Sequence, residues 1–194
     1  MKKHEWHHPN FWINGRFVVA NASQGYHNLM KEWWEKYNTG NDILIVGEGE
    51  AAKNDFQAAY PEWNIQTVDE DTQWTRGAIN ITGDICDEHT LEKNKYSLVI
   101  CQSVLEHVFD PVMAMKNMLK SLKKDGVLCL CTHPPGLGKY VREEGYPYHA
   151  GPRDYLRFHL DFFEDFPEKS KIDAEVLEVF DNGTHILACF RIKI

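Results

Sequence analysis

The sequence contains no C-x-x-C pair, which removes the commonest routes to a structural zinc site or a dithiol redox centre. Its five cysteines are scattered: Cys101, Cys129, Cys131 and Cys189 lie in apolar runs and Cys86 in a loop. They read as reduced thiols serving as small core hydrophobes. No apolar run is long enough to span a bilayer, and the opening MKKHEWHHPN has no apolar signal-like stretch. The expectation is a cytoplasmic protein with no membrane span. Positive charge is not in excess either. Lys and Arg number 21 against 29 Asp and Glu, a net charge of -8, which argues against a duplex nucleic-acid partner. Lys120, Lys123 and Lys124 cluster at a predicted helix end, where cations suit the helix dipole. His4, His7 and His8 read as an incidental tract rather than a metal site, and no metal is expected. Internal repeats and low-complexity linkers are absent. Nothing in the sequence sets the oligomeric state.

What is present suits a folded domain. With 194 residues, 43% hydrophobic and 26% charged, the chain is expected to form a single domain over 1–194. Residues 1–22 are rich in aromatics and histidine without clear periodicity. Ser23 is placed to cap a helix reaching Tyr37, so 1–40 reads as an aromatic cap segment plus helix. Strands are predicted over Asp42–Val46, Trp63–Val68, Ala78–Ile81, Tyr96–Cys101 and Val127–Thr132. Helices are predicted over Ala51–Tyr60, Pro111–Leu122 and Tyr155–Phe166. Lys124-Asp125-Gly126 reads as a turn. Ala174–Phe180 and Thr184–Ile194 alternate around Asp181-Asn182-Gly183, a strong hairpin signal. Strands alternating with helices and ending in a hairpin imply a doubly wound α/β fold with a mostly parallel sheet. The stretch 133–153 is too long for a mere connection and reads as a functional loop.

The most informative segment is 96–113, YSLVICQSVLEHVFDPVM. A buried parallel strand ends abruptly in Gln102 and Ser103. Glu106-His107 follows, then Asp110-Pro111 as a helix start. Polar side chains delivered at the carboxyl end of such a strand are how an open α/β sheet builds a ligand crevice. Gly47-Glu48-Gly49-Glu50 stands between a strand and a helix, and its glycines permit a tight turn and close backbone approach. Two carboxylates there oppose the pyrophosphate of a dinucleotide. They suit a cationic ligand instead. Asp69 falls roughly 20 residues after the glycines, the spacing at which an acid reaches ribose hydroxyls. Glu70 and Asp71 are neighbours that leave the assignment open by a position or two. Gly83-Asp84-Ile85 places another acid in a turn.

The 96–113 segment closely resembles the fourth-strand motif of class I S-adenosylmethionine (SAM)-dependent methyltransferases, whose small-molecule branch often carries V-L-E-H-V there. The Gly47 turn resembles the first motif of that family, with Ile45 in place of the usual acid and Ala51 in place of the third glycine; Glu48 or Glu50 stands in for the missing acid. Gly83-Asp84-Ile85 resembles the family's G-D-I/V segment. Lys116–Thr132 resembles its L-K-P-G-G-x-L scaffold stretch. Residues 147–158, PYHAGPRDYLRF, resemble a block found after the fifth strand in small methyltransferases, often ones acting on sugars or glycans; His159 stands where that block continues with Thr.

The resemblance implies a Rossmann-like methyltransferase fold: a seven-stranded, mostly parallel sheet with a C-terminal antiparallel hairpin strand, and SAM over its carboxyl edge. It implies SAM as cofactor and S-adenosylhomocysteine as product. Cofactor contacts would come from Gly47, Glu48, Gly49, Asp69, Asp84, Ile85, Gln102 and Ser103. Asp84 would meet the adenine amino group and Ile85 its ring. The acceptor would be a small molecule, a sugar or glycan hydroxyl being favoured, bound by His133, Tyr148, Asp154, Tyr155 and Arg157 under the 133–153 loop. Asp154 and Arg157 are equally well placed to cap a helix and pair with each other. A hydroxyl acceptor wants a general base of near-neutral pKa, for which His149 ranks first and His107 second. The absence of an Asn/Asp-Pro-Pro-Tyr tetrapeptide argues against DNA amino-methylation. Two rivals stay open: a nucleotide-dependent oxidoreductase, and a catalytically weak SAM-fold partner subunit.

Overall fold

The computed structural model describes residues 10–13, 16–19, 25–70, 77–133, 155–181 and 185–193. In chain order the elements are β1 (Asn10–Ile13), β2 (Arg16–Val19), α1 (Gly25–Tyr37), β3 (Asp42–Val46), α2 (Glu50–Ala59), β4 (Asn64–Asp69), β5 (Ile81–Thr82), β6 (Tyr96–Gln102), α3 (Pro111–Ser121), β7 (Leu122–Thr132), α4 (Leu160–Glu164), α5 (Phe166–Ser170), β8 (Ala174–Asp181) and β9 (Ile186–Ile192).

Seven strands form one sheet in the order β5-β4-β3-β6-β7-β9-β8. Pairing is parallel from β5 to β7, while β9 runs antiparallel to both β7 and β8. This is the mostly parallel, seven-stranded sheet expected from the sequence. Its central strands β3 and β6 read as nearly continuous apolar runs because both of their faces are covered. Alternate residues go to opposite sides. Ile43, Ile45, Leu98, Ile100, Val127 and Cys129 pack with Leu29, Met30, Trp33 and Trp34 of α1. Leu44, Val46, Val99, Cys101, Leu128 and Leu130 pack with Ala114, Met115, Met118 and Leu119 of α3 and with Phe163 and Phe166. The α3 start is the one read from Asp110-Pro111: Asp110 caps the helix by accepting the Met113 N–H at 2.9 Å.

Four local expectations are corrected. The predicted strand over Ala78–Ile81 shrinks to Ile81–Thr82. Asn80 is drawn into side-chain bonds instead: its N–H donates to Thr67 Oγ1 and its Oδ1 accepts from the Thr67 N–H. The predicted helix over Tyr155–Phe166 begins only at Leu160 and breaks at Asp165. Residues 155–159 lie outside any helix and are tied instead to distant parts of the chain. Tyr155 and Leu156 donate to the Glu106 carbonyl, and Phe158 to that of His133. The turn at Lys124-Asp125-Gly126 is absorbed into the long strand β7, with Asp125 at a φ of 61° and an irregular register opposite Tyr96 and Leu98. Residues 10–19, read as aperiodic, hold the antiparallel pair β1 and β2. Ser23, Asn182 and Gly183 lie outside the described residues, as does the loop 133–153 beyond His133.

Candidate active site

The strand order sets the crevice. From β3 the chain steps outward to β4 and β5, then returns to β6 on the other side of β3. Ligands of open α/β sheets bind at the carboxyl ends of the strands beside such a reversal. Register then fixes which residues meet there. Val46 is level with Val68 on one side and Cys101 on the other, and Asp69 is level with Thr82. The next residue of each strand brings Gly47, Asp69 and Gln102 into one row, about 4.8 Å apart from strand to strand.

Gly47 is held by its N–H, which donates to the Val68 carbonyl at 2.8 Å. Its φ is +79°, and a Cβ there would fall 2.3 Å from Val104 Cγ2. Only glycine tolerates both the conformation and the close neighbour. The turn after β3 and the segment after β6 therefore press together. Gly49 is buried at the start of α2, and Glu48 is half-buried between the two glycines. Glu50 is exposed on the first turn of α2. Ile45, standing where the family's acid would be, lies in the core against the α1 layer.

Asp69 is half-buried at the end of β4, and its carbonyl accepts the Gly83 N–H at 3.0 Å. That bond ties the β4 and β5 ends together. Asp84 follows directly. It is exposed, one carboxylate oxygen accepts the Cys86 N–H at 2.8 Å, and its carbonyl accepts from Thr90 Oγ1 at 2.6 Å. Ile85 is 7% exposed and packs in the core, its carbonyl held by Asn117 Nδ2 at 3.0 Å. On the other wall, the Gln102 amide points to Met30 Sδ of α1 at 3.6 Å. Ser103 takes a left-handed φ of 52° and donates its N–H to the Cys131 carbonyl. These residues stand at or just beyond the carboxyl ends of β3 to β6, and the acids among and beside them are Glu48, Asp69, Glu70 and Asp84. Carboxylates in that arrangement suit ammonium, sulfonium, amine and ribose hydroxyl groups and oppose a pyrophosphate.

The acceptor-side candidates divide. His107 is half-buried in the turn after β6, with its N–H on the Val104 carbonyl. Tyr155 is 50% exposed and meets Phe109, itself 88% exposed, edge to face at 5.7 Å. Arg157 is half-buried and its Nη1 donates to the Leu156 carbonyl. His133 is 3% exposed; its Nε2 lies 3.4 Å from Glu106 Oε1, and its ring packs on that of His185 at 4.8 Å. It stands inside the edge rather than on it. His149, Tyr148 and Asp154 lie outside the described residues.

Sequence reading marked Glu106 without giving it a role and gave none to Thr132 or His185. All three are buried, and Thr132 Oγ1 donates to Glu106 Oε2 at 2.8 Å. The signal available was an acid inside V-L-E-H-V just after a strand that reads as buried. The thiols nearby are inert: burial first, and the Glu106 charge second, push the Cys101 and Cys131 thiols well up. Cys86 is pushed up to about 11, chiefly by burial. Among the described residues no cluster of three or more His, Cys, Asp or Glu is arranged to hold a metal ion. No helix among them is long and apolar enough to cross a membrane.

A family model described as a methyltransferase domain matches residues 20–172. The fold is similar to that of the YcgJ protein from Bacillus subtilis, with 12% identity, a TM-score of 0.62, and 87% of this chain and 99% of that chain covered. It is similar to phosphoethanolamine N-methyltransferase 2 from Haemonchus contortus, solved with S-adenosyl-L-methionine. There the identity is 17% and the TM-score 0.58, over 86% of this chain and 52% of that one. It is similar also to the N-methyltransferase NodS from Bradyrhizobium japonicum, at 16% identity and a TM-score of 0.55, over 89% and 97% of the two chains. No curated protein sequence matches this chain.

Proposed function

The chain belongs to the methyltransferase domain family, and from that premise we propose that it transfers the methyl group of S-adenosylmethionine to a small-molecule acceptor, a sugar or glycan hydroxyl being the favoured class. The observation that carries the reading is the acidic edge at the strand-order reversal: Gly47 in a turn no other residue fits, flanked by Glu48, Asp69 and Asp84. The bound cofactor supplies a methyl group already activated on a sulfonium, so the protein's part is to bind, orient and exclude water.

In this reading the Gly47-Glu48-Gly49 turn holds the methionine end, and half-buried Glu48 replaces the acid lost at Ile45. Asp69 takes the ribose hydroxyls. Asp84 meets the adenine amino group, and Ile85 supports the ring from the core. Gln102 and Ser103 form the wall nearest the acceptor. Tyr155 and Arg157, with Tyr148 and Asp154, shape the acceptor side, and buried His133 supports them from beneath through its carbonyl, which accepts the Phe158 N–H. A hydroxyl must lose its proton as the methyl group arrives, and His149, or failing that His107, receives it.

The sugar or glycan class rests on the resemblance of PYHAGPRDYLRF to blocks in such enzymes. Two of the structures of similar fold are N-methyltransferases by name, so the test spans both chemistries. The protein is incubated with methyl-tritiated SAM and a panel of monosaccharides, oligosaccharides, and primary and secondary amines. Label transfer to a sugar hydroxyl supports the reading. Transfer to amines alone overturns the acceptor class, and no turnover with any methyl acceptor favours a catalytically weak partner subunit.

A further inference from the structure

We infer that Glu106 is a positioning residue whose buried carboxylate and carbonyl together tie the cofactor-crevice wall to the backbone of segment 155–158. That this segment faces an acceptor rests on the methyltransferase reading; the anchoring does not.

Glu106 is fully buried at the carboxyl edge of the sheet. A buried carboxylate survives only with compensating partners. Its Oε2 accepts from Thr132 Oγ1 at 2.8 Å, and its Oε1 lies 3.4 Å from His133 Nε2. Both partners stand at the end of β7. The groups facing the pair from neighbouring elements are the Cys101 and Cys131 thiols and the His185 ring. His185 comes just before Ile186, which pairs with Thr132 in the β7–β9 ladder.

The Glu106 main chain looks the other way. Its carbonyl accepts the Tyr155 N–H at 2.7 Å and the Leu156 N–H at 3.2 Å. The Phe158 N–H donates to the His133 carbonyl at 3.1 Å. So three backbone donors of segment 155–158 rest on two residues, and those two are joined through the carboxylate. The same connection begins at Gln102 and Ser103, on the crevice wall. A shift of Glu106 therefore moves the cofactor wall and the Tyr155–Phe158 segment together. An apolar side chain of equal volume would fill this space without burying a charge. What the carboxylate adds is a hydrogen-bonded hold on Thr132 and a carboxylate oxygen 3.4 Å from the His133 ring nitrogen, both at the end of β7.

The test uses the full chain with Glu106→Leu and Glu106→Gln. Amide exchange is followed by NMR at Tyr155, Leu156 and Phe158, with Leu44 and Ile45 of β3 as controls. S-adenosylhomocysteine affinity is measured separately by calorimetry. Glu106→Leu should speed exchange at the three amides at least tenfold and leave the β3 amides unchanged. Glu106→Gln, which can still accept from Thr132 Oγ1, should restore protection to within threefold. Unchanged exchange in Glu106→Leu, or equal acceleration in β3, overturns the proposal; the latter marks a carboxylate that serves stability alone. If Glu106→Leu does not fold, Thr132→Val decides: faster exchange at Tyr155 and Leu156 supports the inference, and none overturns it. Failure of wild-type protein to bind S-adenosylhomocysteine would overturn the methyltransferase reading while leaving the exchange result intact.

Discussion

Gly47 and Val104 touch across the point where the sheet's strand order reverses: a Cβ on Gly47 would sit 2.3 Å from Val104 Cγ2. The residue is thus confined twice, by a positive φ and by a neighbour on the opposite wall. Gly47→Ala should destabilise the fold by about 1–2 kcal/mol for the left-handed backbone, plus about 1–3 kcal/mol for overpacking. Denaturant unfolding measures the sum. Gly47→Ala with Val104→Ala should recover only the packing part, because the backbone strain remains.

Asp69 tests the cofactor assignment. Asp69→Ala should weaken S-adenosylhomocysteine binding by about 1.5–3 kcal/mol, as expected for lost charge-assisted hydrogen bonds. Titration calorimetry reads this directly. Unchanged affinity would move the ribose role to Glu70 or Asp71.

The general base is tested once an acceptor is in hand. Replacing the working histidine, His149 before His107, by Asn should lower turnover roughly 10²–10⁴-fold while leaving SAM affinity near wild type. Turnover by the wild-type protein should fall toward acid pH as the base becomes protonated. Near-normal turnover in both single variants would assign the reaction to positioning alone or to another base.

Asp42 gives an acid-stability signature remote from the site. Hydrogen bonds from Lys123 and then Asn64 hold its carboxyl below the ordinary value of 3.8. A carboxyl lowered in the folded state stabilises at pH values above its unfolded pKa. That contribution fades as pH drops below 3.8 and is gone beneath the folded pKa. The pair is over a third exposed on both sides, so the effect is small. Asp42→Asn should lower stability slightly at pH 7 and flatten the dependence below pH 4, as thermal unfolding across a pH series would show. An identical acid limb in both proteins would assign the effect elsewhere.

Much of the architecture was legible because local pattern and burial agree. Ile43–Val46 is apolar throughout, and both of its faces are covered. Asp110-Pro111 carries its own cap. The alternation around 181–183 announces β8 and β9. The misses come from interactions with no local mark. Tyr155–His159 has helical spacing, yet its N–H groups go to carbonyls of Glu106 and His133. The β1–β2 pair is four residues a side, too short for periodicity, although Asn14-Gly15 between them is a hairpin dipeptide. In the site, Gly47, Asp69 and Gln102 could be aligned from strand ends alone. Glu106 could not be assigned a role, since its partners Thr132 and His133 are far off in sequence and meet it only through the β6–β7 pairing.

The central claim is that the acidic edge at Gly47, Asp69 and Asp84 holds S-adenosylmethionine and not a dinucleotide. Isothermal titration of the wild-type protein with S-adenosylhomocysteine and, separately, NAD decides it. Saturable one-site binding of S-adenosylhomocysteine, at least a hundredfold tighter than NAD and accompanied by a rise in Tm through mass action, is the predicted result. No binding of S-adenosylhomocysteine, or tighter binding of NAD, would contradict it.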